Sequence, residues 1–209
     1  MTTIVLPASN EAKNIPELLE SIPKKYKVVV VDDGSTDDTS ELVKRLGYKC
    51  VSLGKNYGKG YACRIGAKHS DDIIIFMDSD QQMDASDIIK FEKAIKKYDI
   101  VAGVRNFSDI PLQRRIANIF ARYMVNKITI QNFPDVLCGF RAVKKDVFMK
   151  LNLQKDEYEF ESEMLIKAVE HNLKIGFINV SIDYTRGSRM KSGKSLKLAW
   201  YLLKYRFKN

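Results

Sequence analysis

Acidic side chains in this 209-residue chain gather in two tight pairs, each following a run of apolar residues. Val28-Val29-Val30-Val31 runs into Asp32-Asp33-Gly34-Ser35, and Ile73 to Met77 runs into Asp78-Ser79-Asp80. Two carboxylates one residue apart at a strand end can point into a common cleft, where their repulsion is costly unless a cation sits between them. Hard oxygen ligands such as Asp78 and Asp80 suit Mg²⁺ or Mn²⁺, which keep waters and bind substrate phosphates as well. Aspartates also cap turns, but two pairs on one rim make that the poorer account. Between the pairs, Asn56-Tyr57-Gly58-Lys59-Gly60 is a glycine-rich loop opening a helical stretch, which places backbone amides and Lys59 for a phosphate. It is not a dinucleotide fingerprint, because Cys63 occupies the third glycine position and the loop does not follow the first strand. No Walker A sequence is present.

The elements that must position these residues follow from periodicity. Strands are predicted at Thr3 to Leu6, Lys27 to Val31, Lys49 to Leu53, Ile73 to Met77 and Ile100 to Ala102. Between them lie helical patterns at Ile15 to Ile22, Asp37 to Leu46, Lys59 to Lys68 and Ser86 to Lys97, with Ser35 or Thr36 and Asp84 as N-cap types ahead of the second and fourth. This alternation predicts an α/β fold with a mainly parallel sheet covered on both faces, and a ligand outside the carboxyl ends of its strands. After residue 103 come a long amphipathic helix over Leu112 to Ile130, an irregular loop from Gln131 to Arg141, a helix near Glu161 to His171, a strand near Ile175 to Val180 and a terminal helix near Lys194 to Phe207. With no linker or repeat, one domain over residues 1–209 is the economical reading.

Charge is distributed unevenly. The net +9 arises almost wholly from Arg186, Arg189, Lys191, Lys194, Lys197, Lys204, Arg206 and Lys208, because residues 186–209 hold no acidic side chain. Such asymmetry points to an anionic partner at that end. Leu196, Ala199, Trp200, Leu203 and Phe207 form an apolar stripe there, with Lys197, Lys204 and Lys208 on another face, a pattern of helices that lie in the membrane interface or dock on a core. The longest apolar run, Leu198 to Leu203, is six residues, against the roughly 18 of a membrane span. Three cysteines (Cys50, Cys63, Cys138) at no metal spacing indicate reduced, buried thiols. Residues 1–6 lack the features of a signal peptide, so the expectation is a cytoplasmic protein.

Residue order also carries a resemblance. Pro7-x-x-Asn10-Glu11, Asp32-Asp33-Gly34-Ser35-x-Asp37, Asn56-x-Gly58-x-Gly60, Asp78-x-Asp80-x-Gln82, Gly103-x-Arg105 and Asp135-x-x-Cys138-Gly139-Phe140-Arg141 occur in an order that resembles glycosyltransferase family 2, most closely its polyprenyl-phosphate (dolichol-phosphate) mannose synthase branch. The resemblance implies a GT-A fold, a nucleotide-sugar donor, a divalent metal (Mg²⁺ or Mn²⁺) and an inverting transfer. By it, Pro7, Asn10, Glu11, Asp32 and Asp33 hold the base and ribose, and Asp78, Asp80 and Gln82 bind the metal and, through it, the donor diphosphate. Arg105 sits by the donor and acceptor phosphates, and Arg114 or Arg115 matches a phosphate-facing arginine. The donor implied first is GDP-mannose, followed by UDP-glucose or UDP-N-acetylglucosamine. Cys138 stands where many relatives carry serine.

A lipid monophosphate acceptor is largely dianionic at neutral pH and needs cations more than a strong base. Arg105, Arg114, Arg115, Arg141, Arg186 and Arg189 are the supply. A hydroxyl acceptor would instead need a carboxylate, for which Glu161 and Glu163 are the candidates. The expected setting is therefore peripheral, at the cytoplasmic face of a membrane, held by the C-terminal helix. A phosphorelay receiver domain is disfavoured because its acidic pair should follow the first strand. Nucleic acid as partner is disfavoured because an acidic rim repels phosphate.

Overall fold

The computed structural model describes residues 1–186 and 192–206. The valine and isoleucine runs become the centre of one seven-stranded sheet: β1 (Thr2–Ala8), β2 (Lys27–Asp32), β3 (Lys49–Ser52), β4 (Ile73–Phe76), β5 (Ile100–Arg105), β6 (Arg141–Lys144) and β7 (Ile175–Val180). Its order is β3-β2-β1-β4-β6-β5-β7. All neighbours are parallel except β6, which runs antiparallel to both β4 and β5. Because β6 is reversed between them, β4 and β5 point the same way, and the carboxyl ends of β1, β2, β4 and β5 open on one edge. Chain direction along the sheet switches between β1 and β4, the place where doubly wound sheets form their ligand crevice.

The helices are α1 (Ile15–Ser21), α2 (Thr39–Arg45), α3 (Lys59–Lys68), α4 (Ile88–Ala94), α5 (Leu112–Thr129), α6 (Lys145–Leu151), α7 (Glu159–Glu170) and α8 (Ser192–Arg206). Alternate strand residues feed opposite faces, as the period of two requires. Ile4, Leu6, Val28 and Val30 pack with Leu18, Ile88 and Phe91 of α1 and α4, whereas Val5, Val29, Val31 and Phe76 pack with Cys63, Phe148 and Phe160 of α3, α6 and α7. A third apolar cluster joins α5, α7 and α8 through Val125, Leu165, Ile166, Leu198 and Leu202. Both halves of the chain build the sheet, since β6 and β7 lie beside β4 and β5.

Differences from the expected elements are local. The stretch after the Gln131–Arg141 loop is not featureless: Arg141–Lys144 is the antiparallel strand and Lys145–Leu151 a helix. The second helix begins at Thr39, and neither Ser35 nor Thr36 caps it. Ser35 instead accepts the Asn10 N–H at 2.9 Å, and its own N–H donates to Asp32 at 3.0 Å. Asp84 does cap, accepting the Ser86 N–H at 2.8 Å ahead of the single 3₁₀ turn that leads into α4. Among the cysteines, Cys63 and Cys138 are buried, Cys50 is half-buried, and all three are free.

Candidate active site

The carboxyl edge of the sheet encloses a cleft of about 980 Å³. One wall comes from the turn after β4. Ser79 Oγ donates to the Pro7 carbonyl at 2.7 Å, tying this turn to β1, and Gln81 adopts a left-handed backbone (φ 59°) that turns the chain back. Asp78, Asp80 and Gln82 all line the cleft. Burial, together with the neighbouring Asp78, pushes the Asp80 carboxyl up to about 6. Lys59, the first residue of α3, places Nζ 2.5 Å from Asp78 Oδ1 and 2.7 Å from Glu161 Oε1. Burial alone would favour the neutral amine, but Asp78 and Glu161 hold the lysine well above its usual value. Gly139 faces this cluster across a close approach. A Cβ there would lie 2.5 Å from Lys59 Nζ and 2.7 Å from Asp78 Oδ2, so the loop from 135 to 140 reaches the acids only because residue 139 has no side chain.

The nucleotide side expected from sequence is assembled by turns that brace one another. Pro7, Asn10, Glu11 and Asp33 line the cleft, whereas Asp32 does not. Asn10 accepts the Thr36 N–H at 2.7 Å, and the Glu11 N–H donates to Thr39 Oγ1 at 2.8 Å. Asp33 accepts the Tyr57 and Gly58 N–H groups at 2.7 and 2.9 Å, so the end of β2 fixes the loop that opens α3. Gly34 (φ +69°) permits this: a Cβ would fall 2.3 Å from the Lys55 carbonyl carbon. Asp32 lies beneath and serves the turn, accepting from Ser35 N–H and Ser52 Oγ.

The six arginines separate clearly. Arg105, at the end of β5, lines the cleft and forms a two-point pair with Asp135, Nε to Oδ2 at 2.7 Å and Nη2 to Oδ1 at 2.9 Å. Burial opposes both charges, yet Asp135 raises Arg105 and Arg105 lowers Asp135, so the pair stays ionised. Arg114, in the first turn of α5, lines the same cleft and has no carboxylate partner among the described residues. Arg115 points away, donating to the Ser108 and Ile110 carbonyls. Arg141 is 1% exposed and spends its guanidinium on the Cys138, Glu161 and Val136 carbonyls at 2.9, 2.5 and 2.9 Å. The expectation that it meets a phosphate is corrected: it is a brace between the 135–140 loop and α7. Arg186 pairs with Glu17 at 3.0 Å and with Gln81 outside the main cleft. Arg189 lies outside the described residues.

Glu161 and Glu163 also depart from expectation, since the first turns of α7 are driven into the core by Phe160, Met164 and Leu165. Glu161 faces Lys59, and Glu163 accepts the Gln154 and Lys155 N–H groups and pairs with Lys167 at 3.2 Å. Neither lines the cleft; Glu157, just ahead of α7, does. Asn118, Tyr158 and Tyr184 also line the cleft, and Asp135 stands behind Arg105, although sequence reasoning did not place them there. Only Asp135 had a signal, its place in the Asp-x-x-Cys-Gly-Phe-Arg segment.

A divalent ion fits the acid pair. Two carboxylates crowd one wall, and one of them is raised by burial and then by the other's charge. Among the described residues no group of three or more His, Cys, Asp or Glu side chains converges as a complete cage. An ion held by Asp78 and Asp80 would therefore need further oxygens from water or a bound diphosphate, which is the habit of Mg²⁺ and Mn²⁺.

A doubly wound sheet with a reversed sixth strand, an acid pair after β4 and guanidiniums across the crevice define a GT-A-type glycosyltransferase fold. Residues 3–151 match the family described as Glycosyl transferase family 2. An uncharacterized protein of Methanocaldococcus jannaschii is 32% identical over 97% of this chain and 98% of its own length. The dolichyl-phosphate beta-glucosyltransferase of Trichomonas vaginalis is 27% identical, with 97% of this chain and 72% of that protein covered. Glucosyl-3-phosphoglycerate synthase of Mycobacterium tuberculosis, solved with Mn²⁺, UDP and its product, superposes with a TM-score of 0.80 at 20% identity over 100% of this chain and 79% of the other. The chain belongs to glycosyltransferase family 2.

Proposed function

We propose that the protein transfers one hexose, with inversion, from a nucleotide sugar to a polyprenyl (dolichyl) phosphate at the cytoplasmic face of a membrane. The observation that carries this reading is Arg114, without a carboxylate partner among the described residues, beside the Arg105–Asp135 pair and across one cleft from Asp78 and Asp80. A phosphate acceptor brings its own negative charge and needs a cation to approach a donor diphosphate. Arg114 is free to supply it. Asp78 and Asp80, with Gln82 beside them, would hold Mg²⁺ or Mn²⁺, whose chemistry is to neutralise charge on the departing nucleoside diphosphate. Lys59 adds a second cation on that wall. Pro7, Asn10, Glu11 and Asp33 would seat the nucleoside, with Asp32 shaping the turn beneath them. Residues 1–105 thus take the donor and 106–209 the acceptor within one unit.

The Trichomonas relative's name points to glucose and a glucosyl-3-phosphoglycerate synthase structure holds UDP-glucose, so UDP-glucose is the donor to test first, ahead of GDP-mannose. A hydroxyl acceptor is the second reading, and in this fold it would rest on Glu157, the cleft-lining carboxylate nearest α7. The purified protein is incubated with Mn²⁺ or Mg²⁺, a short polyprenyl phosphate and, separately, each labelled UDP- and GDP-sugar, and label extracted into organic solvent is counted. Label in the organic phase with one donor supports the proposal. Metal-dependent release of nucleoside diphosphate with no lipid-borne label sinks the lipid acceptor and leaves the hydroxyl reading.

A further inference from the structure

We propose that the outward face of α5, extended by Trp200 and Leu203 of α8, docks on an anionic lipid bilayer. This deepens the reading of the acceptor as a lipid phosphate and rests on it for its purpose, although the surface itself is defined by geometry. Helix α5 carries apolar residues on two opposite sides. Ala121, Met124 and Val125 are buried in the cluster shared with α7 and α8. On the other side Leu112, Ile116, Ile119 and Tyr123 follow i, i+4, i+7, i+11 spacing and are 70, 68, 47 and 58% exposed, with Ile130 at 90% just past the helix end. A surface helix normally turns a polar stripe to water; this one turns an apolar stripe about 16 Å long. Helix α8 repeats the arrangement. Leu198, Tyr201 and Leu202 are buried, while Trp200 and Leu203 are 65 and 41% exposed.

Charge selects the occupant. The α5 sequence holds Arg114, Arg115, Arg122 and Lys127, and the α8 sequence holds Lys194, Lys197, Lys204 and Arg206, with no acidic residue in either. Lys127 stacks over Tyr123 and Lys204 over Trp200, so cations flank the exposed rings, and Arg122 lies over the half-buried Phe107. Two such faces would repel each other, which argues against a second copy of the chain. Apolar and aromatic groups ringed by cations match the boundary between acyl chains and anionic headgroups. The same helices reach the cleft, through Arg114 of α5 and Leu198 of α8. A lipid phosphate could thus present its headgroup to Arg114 while its chain stays in the bilayer.

The full-length protein is sedimented with vesicles of phosphatidylcholine alone or mixed with phosphatidylglycerol, without acceptor lipid. Trp200, the sole tryptophan, reports insertion by a blue-shifted emission. Wild type is expected to bind the mixed vesicles, shift its emission and release with added salt. Ile116→Glu with Ile119→Glu, both outside the cleft, is expected to cut binding at least tenfold, and the milder Ile116→Ser with Ile119→Ser is expected to weaken it too. The melting temperature of each variant confirms that it is folded. Equal binding by wild type and the glutamate variant, or none by wild type, overturns the proposal. So does a wild-type dimer, seen by light scattering, that the glutamate substitutions split. Failure of the acceptor reading looks different: vesicles bind, but no label reaches polyprenyl phosphate in either vesicles or detergent.

Discussion

Lys59 shows how a single residue holds the acidic wall together. It is the one cation within 3 Å of both Asp78 and Glu161 among the described residues, and the Glu161 side chain is only 3% exposed. Removing one partner of such a buried cluster leaves an uncompensated charge, at a cost of about 3–5 kcal/mol. Lys59→Met is therefore expected to lower stability in urea by about that amount, and adding Glu161→Gln should recover a good part of it. If the double variant is no more stable than the single one, Glu161 is not the charge that Lys59 serves. Asp80 gives a prediction of opposite sign. Its folded pKa, about 6, is raised above the ordinary value, so the folded state binds the extra proton and is penalised once pH exceeds that range. Without metal, Asp80→Asn should melt higher than wild type at pH 7, with the gain shrinking to nothing as pH falls to about 4, near the ordinary aspartate pKa. A variant gain that does not change with pH would mean that charge is not the cause. At this scale, Asp78, Asp80 and Lys59, picked out by type and spacing, and Arg105 and Arg114, picked out by the resemblance, are brought to one cleft. Arg141 and Glu161 were not correctly placed, because the direction of a side chain depends on elements distant in sequence.

Among the elements, β6 is the piece that the linear pattern concealed. Arg-Ala-Val-Lys is too short to show alternation, and its pairing is with β4 and β5, 65–71 and 39–43 residues upstream in register. The long parallel strands announced themselves by apolar runs bounded by acids and glycine, as did α3, whose ends match expectation at Lys59 and Lys68. What β6 does is fix the loop from 135 to 140 against the acid pair. Asp135 receives the Leu137 and Cys138 N–H groups at 3.0 and 3.2 Å, and Arg141 ties the Val136 and Cys138 carbonyls to α7. Arg141→Met strands three carbonyls and should cost at least about 3 kcal/mol. Arg141→Lys should recover little, because a single ammonium cannot reproduce the planar fork. Nucleoside diphosphate affinity of the folded protein, measured by titration calorimetry, is expected to stay within about twofold of wild type, well under the tenfold that 1.4 kcal/mol would produce. A tenfold loss of affinity with stability unchanged would return Arg141 to phosphate binding.

Across the whole molecule, the cleft is incomplete on either side alone. The acid wall offers two carboxylates, one of them inclined to stay protonated near pH 6, and no third acidic or imidazole ligand among the described residues. The opposite wall offers Arg105 already committed to Asp135, and Arg114, which has no carboxylate partner among the described residues. A divalent ion by itself thus gains few ligands, and a nucleoside diphosphate by itself meets the carboxylates unscreened. Each should bind far better when the other is present, and the coupling should appear in stability, because a ligand that binds only the folded state raises it by about 2.7 kcal/mol at one hundred times its Kd. In thermal melts, Mn²⁺ alone and UDP alone are each expected to shift the midpoint by about a degree or less, and the two together by several degrees, on the scale of about 2–4 °C per kcal/mol for a chain of this size. Asp80→Asn should abolish the joint shift without removing the small separate ones. A full shift with Mn²⁺ alone would mean that the protein supplies a complete metal site by itself. A joint shift that survives in Asp80→Asn would remove Asp80 from the ligand set and leave Asp78 as the residue that joins the two ligands.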